Sequence, residues 1–375
     1  MECMPAIEKT NATMERIKIQ SINETVESDA ADHIQALSPP DYLFLLVTSE
    51  CNLHCKHCHM WMNQDSPNGL TLPEKLDVVR QFQRLNPSGG VVLCGGELML
   101  KEEEFFSLTA LCRELGLNTA AFTNGSLVEE SHYHRLLLEG PDQLFFSLDS
   151  HLPVVHDYIR GTEGSCEHIL KVLTDLSSLK KKAYPDSKVR IYTNCTLFER
   201  NLYGIHEFIE HVKGLGIDGV RFECLHETVD KRSKEGEDPF LRRGFFSDQN
   251  AAAMMFDEII ARYRKDDFVV VPEGDWLWMR FYVANHGTTN TYPVCAAFEK
   301  IIFIEQSGEL LLCPYMHTLK QVGYLGNCRT TGLTDFWFSA SAENARKYMR
   351  SCNKECGMIS GFRNSELVAP LVLTK

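Results

Sequence analysis

No apolar run in the chain approaches the ~18 residues of a membrane span, so hydropathy excludes a spanning helix. A basic surplus is missing as well. Its 38 Lys and Arg stand against 51 Asp and Glu, a formal charge of −13, which excludes a nucleic-acid binder working through a basic stripe. There is no internal repeat or low-complexity segment. The start, Met1-Glu-Cys-Met-Pro-Ala-Ile-Glu8, has neither a basic n-region nor an apolar h-region, so a reducing cytoplasm is the expected compartment. There the 14 cysteines are expected to stay reduced and to favour metal ligation over disulfides. At 375 residues the chain exceeds one ordinary domain, and a large barrel with a smaller appendage is expected.

Residues 1–40 read as a polar extension with one short strand at Met14–Gln20, closing on Pro39-Pro40. From Tyr42 onward, apolar strands alternate with helical patterns. Strands are predicted at Tyr42–Thr48, Val91–Cys94, Asn118–Thr123, Gln143–Leu148, Val189–Asn194 and Gly219–Cys224. Thr71-Leu-Pro-Glu74 reads as a capping box with a first-turn proline, and Leu76, Val79, Phe82 and Leu85 follow at helical spacing. Further helices are predicted from Glu102, over Glu129–Glu139, His168–Lys180 and Leu202–Leu215. Alternating β and α in units of about thirty residues imply βαβ crossovers and a parallel sheet. The charged stretch Glu227–Asn250 reads as a solvated loop before a helix over Ala251–Arg264, and Trp276-Leu-Trp278 with Phe281-Tyr282 as core of a junction.

Cys51-Asn-Leu-His-Cys55-Lys-His-Cys58 puts three thiols within eight residues, at C-x3-C-x2-C spacing, directly after the first strand. Soft thiolates at this density select zinc or an iron–sulfur cluster. Core cysteines would follow core periodicity, and the polar residues between these three do not. Tetrahedral zinc asks for a fourth ligand, whereas three cysteines leave one iron of a cubane open. The stretch resembles the signature of the radical S-adenosylmethionine (radical SAM) enzymes. In that family the open iron is chelated by the amino and carboxylate groups of SAM. Six βα units match its partial (βα)6, TIM-like barrel. The residue before the last cysteine is usually aromatic there and is His57 here, a position counted with the cofactor contacts.

The same resemblance gives meaning to weaker signals. Gly95-Gly96-Glu97 follows the second strand, at the carboxyl edge where parallel folds bind ligands. By itself it reads as a plain turn, but it resembles the family's GGE motif, whose glycine backbone and glutamate hold the SAM ammonium group. Leu98 stands where many relatives have proline. Thr123-Asn-Gly125 resembles a common turn at the third strand's end. Ser147-Leu-Asp149 and His156-Asp-Tyr-Ile-Arg160-Gly161 resemble a string in which the serine hydrogen-bonds SAM and the arginine pairs its carboxylate. The planar fork of Arg160 suits that role; the plain alternative is a surface ion pair with Asp157 or Glu163.

The C-terminal third carries Cys295, then Gly308-Glu-Leu-Leu-Leu-Cys313, then Cys352-Asn-Lys-Glu-Cys356. Ile301–Ile304 and Leu310–Leu312 around Gln306-Ser-Gly308 predict a hairpin that brings Cys295 near Cys313. The pattern resembles the opening of SPASM and twitch domains, which hold auxiliary [4Fe–4S] clusters. Part of the SPASM cysteine set is missing, which implies a single auxiliary cluster. Its ligands would be Cys295, Cys313 and Cys356, with Cys352 as the fourth and Cys328 as competitor; a three-ligand cluster with an open iron stays in play, as does zinc from spacing alone. The expected organisation is an extension (1–40), a core barrel (41–226), a linker with a bridging helix (227–290) and a β-hairpin/helix auxiliary-cluster domain (291–375).

Of the other cysteines, Cys3, Cys94, Cys112, Cys166, Cys195 and Cys224 read as structural, with Cys195 and Cys224 near enough to strand ends to face the cavity. The resemblance implies reductive cleavage of SAM to a 5′-deoxyadenosyl radical, hydrogen abstraction from substrate, and an electron donor such as flavodoxin or ferredoxin. The substrate it implies is a ribosomally made peptide or protein side chain, oxidised or crosslinked. Alternatives are an aminoglycoside-like small molecule, dehydrogenated or epimerised, and a non-enzymatic zinc-stabilised interaction protein. No catalytic residue is assigned.

Overall fold

Apolar strands alternate with amphipathic helices along the chain, and in the computed structural model, which describes residues 37–225, 246–284, 295–316 and 322–350, they form one twisted sheet with helices on one side. The order is β1 (Tyr42–Thr48), α1 (Leu72–Leu85), β2 (Gly90–Gly95), α2 (Glu102–Glu114), β3 (Asn118–Thr123), α3 (Glu130–Glu139) and β4 (Gln143–Ser147). Then come α4 (Pro153–Arg160), α5 (Ser165–Ala183), β5 (Arg190–Leu197), α6 (Glu199–Leu202), α7 (Ile205–Gly214) and β6 (Gly219–Cys224). These six strands pair in parallel, in sequence order. This is the parallel βα arrangement expected of the alternation, and the partial barrel that the resemblance implied.

Strand periodicity divides the side chains between two faces. Leu43, Leu45, Leu93, Leu144 and Ile191 lie on the outer face, fully buried in one core with Phe82, Phe106, Leu136 and Phe208 from the helices. Each such side chain contributes about 1.5–3 kcal/mol by leaving water. The inner face carries a ladder of stacked rings on adjacent strands: Phe122 over Phe145 at 4.8 Å and Phe145 over Tyr192 at 5.0 Å. A cavity of about 400 Å³ opens at the strands' N-terminal end, lined by Tyr42, Asn118, Gln143 and Arg190 among others, opposite the edge that carries the cysteine loop.

The predicted capping box is present: Thr71 N donates to Glu74 Oε2 at 2.8 Å, and Pro73 occupies the first turn of α1. Several element ends shift by one to three residues from the sequence reading, and two helices differ more. The helix expected over Leu202–Leu215 is broken at Gly204 into α6 and α7, and α4, read only as a motif string, is a helix that Gly161 ends at φ +67°.

Next in the chain come α8 (Gln249–Tyr263), α9 (Glu273–Ala284), β7 (Ile301–Ile304), β8 (Leu310–Leu311), α10 (Leu333–Trp337) and α11 (Ala340–Met349). Trp276 and Trp278 of α9 are buried, as a junction core requires. The expected strand at Met14–Gln20 and most of the charged loop lie outside the described residues, as do Cys352 and Cys356.

The C-terminal hairpin forms as predicted, β7 antiparallel to β8, but it is not a separate body. β7 pairs in parallel with β1, Tyr42 opposite Ile301 and Leu45 opposite Ile304, and extends the barrel sheet to eight strands. Ile301-Ile-Phe-Ile304 is buried on both faces, so its backbone groups cannot be left to solvent, and the open edge of β1 pairs them. The other sheet edge is closed by the chain after α8, where Val220 exchanges hydrogen bonds with Phe268 and Val270 at 2.8 Å. Trp337 Nε1 donates to Ser38 O at 2.9 Å, tying α10 to the entry of β1.

Candidate metal and cofactor site

Parallel strands point all their carboxyl ends to one edge, which collects the chemistry-bearing residues. The three cysteines leave β1 there, Gly95-Gly96-Glu97 leaves β2, and Thr123-Asn-Gly125 leaves β3. Ser147 ends β4, level with Asn194 on β5, which is level with Arg221 on β6. Each motif singled out in the barrel half of the sequence therefore meets the others at one mouth.

The glycines explain how the loop is held. The backbone of Ser49–Cys51 runs beside Gly95–Glu97, with Gly96 N donating to Thr48 O and Glu97 N to Glu50 O, both at 2.8 Å. A Cβ on Gly96 would stand 1.9 Å from the Glu50 carbonyl oxygen, so no other residue fits. Glu97 is buried, with Oε1 accepting from Met99 N at 2.9 Å and Thr123 Oγ1 at 2.6 Å, and Oε2 from Asn124 N at 2.7 Å. Three donors on four lone-pair positions leave one free, room for one ammonium hydrogen. Burial raises the Glu97 pKa, and these same hydrogen bonds oppose the rise.

Cys51, Cys55 and Cys58 are unbridged thiols close enough to repel one another as thiolates in every pairing. Burial is the largest cause raising each pKa, to about 11 for Cys58. Thiols so placed are poor solvent ligands, but metal binding displaces their protons and offsets that burial cost. Among the described residues, no three His, Cys, Asp or Glu converge on a single-ion site. A cubane differs in taking each thiolate at a different iron. Trp61 Nε1, beside His54 with ring centroids 4.8 Å apart, is buried with no hydrogen-bond partner among the described residues. A buried donor left over on the segment that follows Cys58, against the His54 ring of the loop, fits an anionic group bound there. Asn124 Nδ2 donates to Asn52 Oδ1 at 3.0 Å and toward Cys51 Sγ at 3.8 Å, and Asn52 Nδ2 to Ser126 Oγ at 2.8 Å, which steadies the first limb of the loop.

Arg160 forms neither of the surface ion pairs considered from sequence. Asp157 instead accepts from Gly164 N and Cys166 N at the start of α5. Arg160 is buried, donating to Asp149 Oδ2 through Nε at 2.6 Å and to Asp149 Oδ1 through Nη2 at 3.0 Å, and its charge favours the thiolate of Cys55. Burial pushes the Asp149 pKa up, yet Arg160 first, then His156 and His57, hold it below the usual carboxylate range. Burial lowers the His156 pKa to about 4.

Sequence reasoning missed the trio Asn194, Arg221 and Glu223. Arg221 Nη1 donates to Asn194 Oδ1 at 2.8 Å and ion-pairs with Glu223 on the barrel wall. Its only sequence signal was a pair of charges two residues apart in an otherwise apolar strand. Cys195 and Cys224 do not face the cavity. Both are buried on the helix side of the sheet, and Cys195 Sγ donates to Asp149 O at 3.5 Å. Cys94, register partner of Leu46, lies on the inner face and is half-buried, with its pKa raised to about 12 by burial and then by Glu305.

In the C-terminal region Cys295 packs with Ile301 and Phe44 at the start of β7. Cys313 lies two residues past Leu311, the partner of Phe303, so the hairpin returns it toward that same end. Cys328 is at the other end, by the turn: its N–H donates to Gly308 O at 2.8 Å, beside a bridge of Glu309 to Asn327.

Fold and site together define a partial α/β barrel with a tri-cysteine loop at its mouth. Comparison with known proteins agrees. Residues 45–209 match the radical SAM superfamily, and residues 295–357 match SPASM, an iron–sulfur cluster-binding domain. Together the matches span more than half of the chain, which belongs to the radical SAM superfamily and carries a C-terminal SPASM domain. Such a chain binds a [4Fe–4S] cluster with SAM and auxiliary iron–sulfur clustering in the SPASM region. An AdoMet-dependent heme synthase of Methanosarcina barkeri is 23% identical, over 83% of this chain and 86% of its own. The subtilosin biosynthesis protein AlbA of Bacillus subtilis is 28% identical, over 48% of this chain and 38% of its own. The crystal structure of Streptococcus suis SuiB bound to its precursor peptide SuiA superposes with a TM-score of 0.62 at 15% identity, over 92% of this chain and 73% of that one. Among the described residues no helix is long and apolar enough to cross a membrane.

Proposed function

We propose that this radical SAM enzyme is an oxidoreductase that oxidises or crosslinks a side chain of a ribosomally made peptide. The observation that carries the radical chemistry is the meeting of the tri-cysteine loop, the Gly-Gly-Glu turn and Ser147 at one barrel mouth. In this reading Cys51, Cys55 and Cys58 hold the cluster, while His57, Gly95, Gly96, Glu97, Ser147 and Arg160 surround the SAM site. When bound, the cluster supplies the electron that cleaves SAM to methionine and a 5′-deoxyadenosyl radical. The chain's own part is orientation and exclusion of water. The free lone pair of Glu97 orients the SAM amino group, and Asn124 holds the loop's first limb. The ring ladder below makes a dry floor, so a radical formed at the mouth meets substrate rather than solvent.

Residues 41–226 are proposed as the catalytic barrel, 227–290 as the bridge and 291–375 as the auxiliary module, with one cluster on Cys295, Cys313, Cys352 and Cys356. A one-electron donor such as a flavodoxin or ferredoxin would serve the barrel. The peptide assignment draws on AlbA, by name a bacteriocin biosynthesis protein, and on SuiB, whose structure holds a precursor peptide. A small-molecule substrate is the second reading, favoured by the likeness to a heme synthase over a larger share of the chain.

The test is anaerobic reconstitution with iron and sulfide counting, followed by dithionite, SAM and product analysis. About eight irons per chain, since each cubane holds about four, together with 5′-deoxyadenosine are expected. Zinc without deoxyadenosine would overturn the reading. For the substrate, peptides encoded beside the gene should lose a pair of hydrogens in the mass spectrum. Unchanged peptides alongside a converted small molecule would select the second reading.

A further inference from the structure

The pair Asp149–Arg160 is more elaborate than a SAM contact requires. A guanidinium that only awaited the SAM carboxylate would present its fork to the mouth. Here the fork is taken: Nε and Nη2 bind the two oxygens of Asp149 at 2.6 and 3.0 Å, and the same guanidinium is close enough to Cys55 for its charge to favour the thiolate. Asp149 is itself fixed, accepting from Thr196 N at 2.9 Å on β5 and donating its own N–H to His156 Nδ1 at 3.1 Å. The backbone joins the same parts. Lys56 N donates to Ile159 O at 2.9 Å, and a Cβ on Gly161 would stand 2.4 Å from His54 O. The C-terminus of α4 thus braces residues 54–56 from below, and the charge pair is the polar half of that brace.

We propose that Asp149 and Arg160 are positioning residues that hold the Cys55 limb of the loop and set the reduction potential of the cluster bound there, Arg160 raising it and Asp149 lowering it. This inference rests on the reading of Cys51, Cys55 and Cys58 as cluster ligands. Cluster potentials follow net charge, hydrogen bonds to sulfur and exposure. A buried cation beside a ligand sulfur stabilises the more negative, reduced cluster, and a buried carboxylate opposes it. Both lie in the interior, where such charges are screened least.

The test is a redox titration of the reconstituted holoenzyme without SAM, following the electron paramagnetic resonance signal that Cys51→Ala removes. Asp149→Asn should raise the potential, Arg160→Gln should lower it, and the double variant should return it toward the parent. Arg160→Lys, which keeps the charge and loses the fork, should hold the potential while binding fewer irons per chain. Circular dichroism identifies any variant that fails to fold, and the conservative lysine keeps the comparison available. Shifts of the same sign in both single variants, or none, would overturn the proposal, as would an Arg160→Lys enzyme with full iron content and only weakened SAM binding. If Cys51→Ala removes neither iron nor signal, the assignment of the cluster loop fails instead.

Discussion

The Glu50 carbonyl oxygen and the Cα of Gly96 are packed so closely that a side chain on Gly96 would begin 1.9 Å from that oxygen. The second glycine of the motif is therefore a spacer between two backbones, and the cysteine loop takes its path from it. Gly96→Ala should force that path to shift, so reconstituted protein should lose most of the iron bound by the loop while the auxiliary iron remains. Iron counting checks this, and full iron content would show that the loop tolerates the shift.

Arg329 joins the C-terminal region to the start of α1. Its guanidinium donates to Glu74 at 2.5 and 3.0 Å and to the carbonyls of Asn68 and Gly69 at 2.9 and 2.8 Å. Arg329→Ala should destabilise the protein by about 1–2 kcal/mol, since the bonds are exposed and charge-assisted. Chemical denaturation measures it.

The same contact carries a pH dependence. Hydrogen bonds from Arg329, then Thr71, hold the Glu74 pKa at about 2, against 4.5 when unperturbed. A depressed carboxylate contributes stability above its unfolded pKa and loses it as pH falls through the folded one. The contribution should be intact above pH 4.5 and gone near pH 2. Glu74→Gln should flatten that part of the stability profile, and an unchanged acid limb would show that the contact contributes nothing.

Cys328 and Cys313 lie toward opposite ends of the C-terminal hairpin, one by the turn and the other past the end of β8. Cys328→Ala should keep the full iron complement, and Cys352→Ala should lower it by up to one cubane. The reverse result would make Cys328 the fourth ligand.

Cys195 and Cys224 are buried behind the sheet. Alanine at either position should leave product yield and stereochemistry unchanged, at a stability cost of about 1 kcal/mol for a small buried group. Loss of stereochemical outcome in the product would contradict their placement.

Much of this molecule was legible in one dimension. Strand positions followed from apolar runs bounded by Gly, Pro and Asn, and β1, β3 and β6 begin and end where the runs do. Thr71 and Glu74 marked the start of α1 because a capping box is a local device, completed within one turn. The cysteine loop was legible for the same reason: its three thiols are neighbours in sequence, and their spacing is itself the chemical signal.

What depends on partners far apart in the chain was decided only by the tertiary structure. Nothing near Arg160 in sequence selects Asp149 over Asp157; both are acidic, and only the turn of α4 against β4 buries one with it. Strand parity sends Cys94 inward and Cys195 outward, because one residue of register exchanges the faces of a strand. The docking of β7 on β1 joins residues more than 250 positions apart, through an open edge that exists only once the barrel strands have paired. Local pattern determined the elements and the cysteine loop, whereas long-range packing decided what braces that loop and which charges lie beside it.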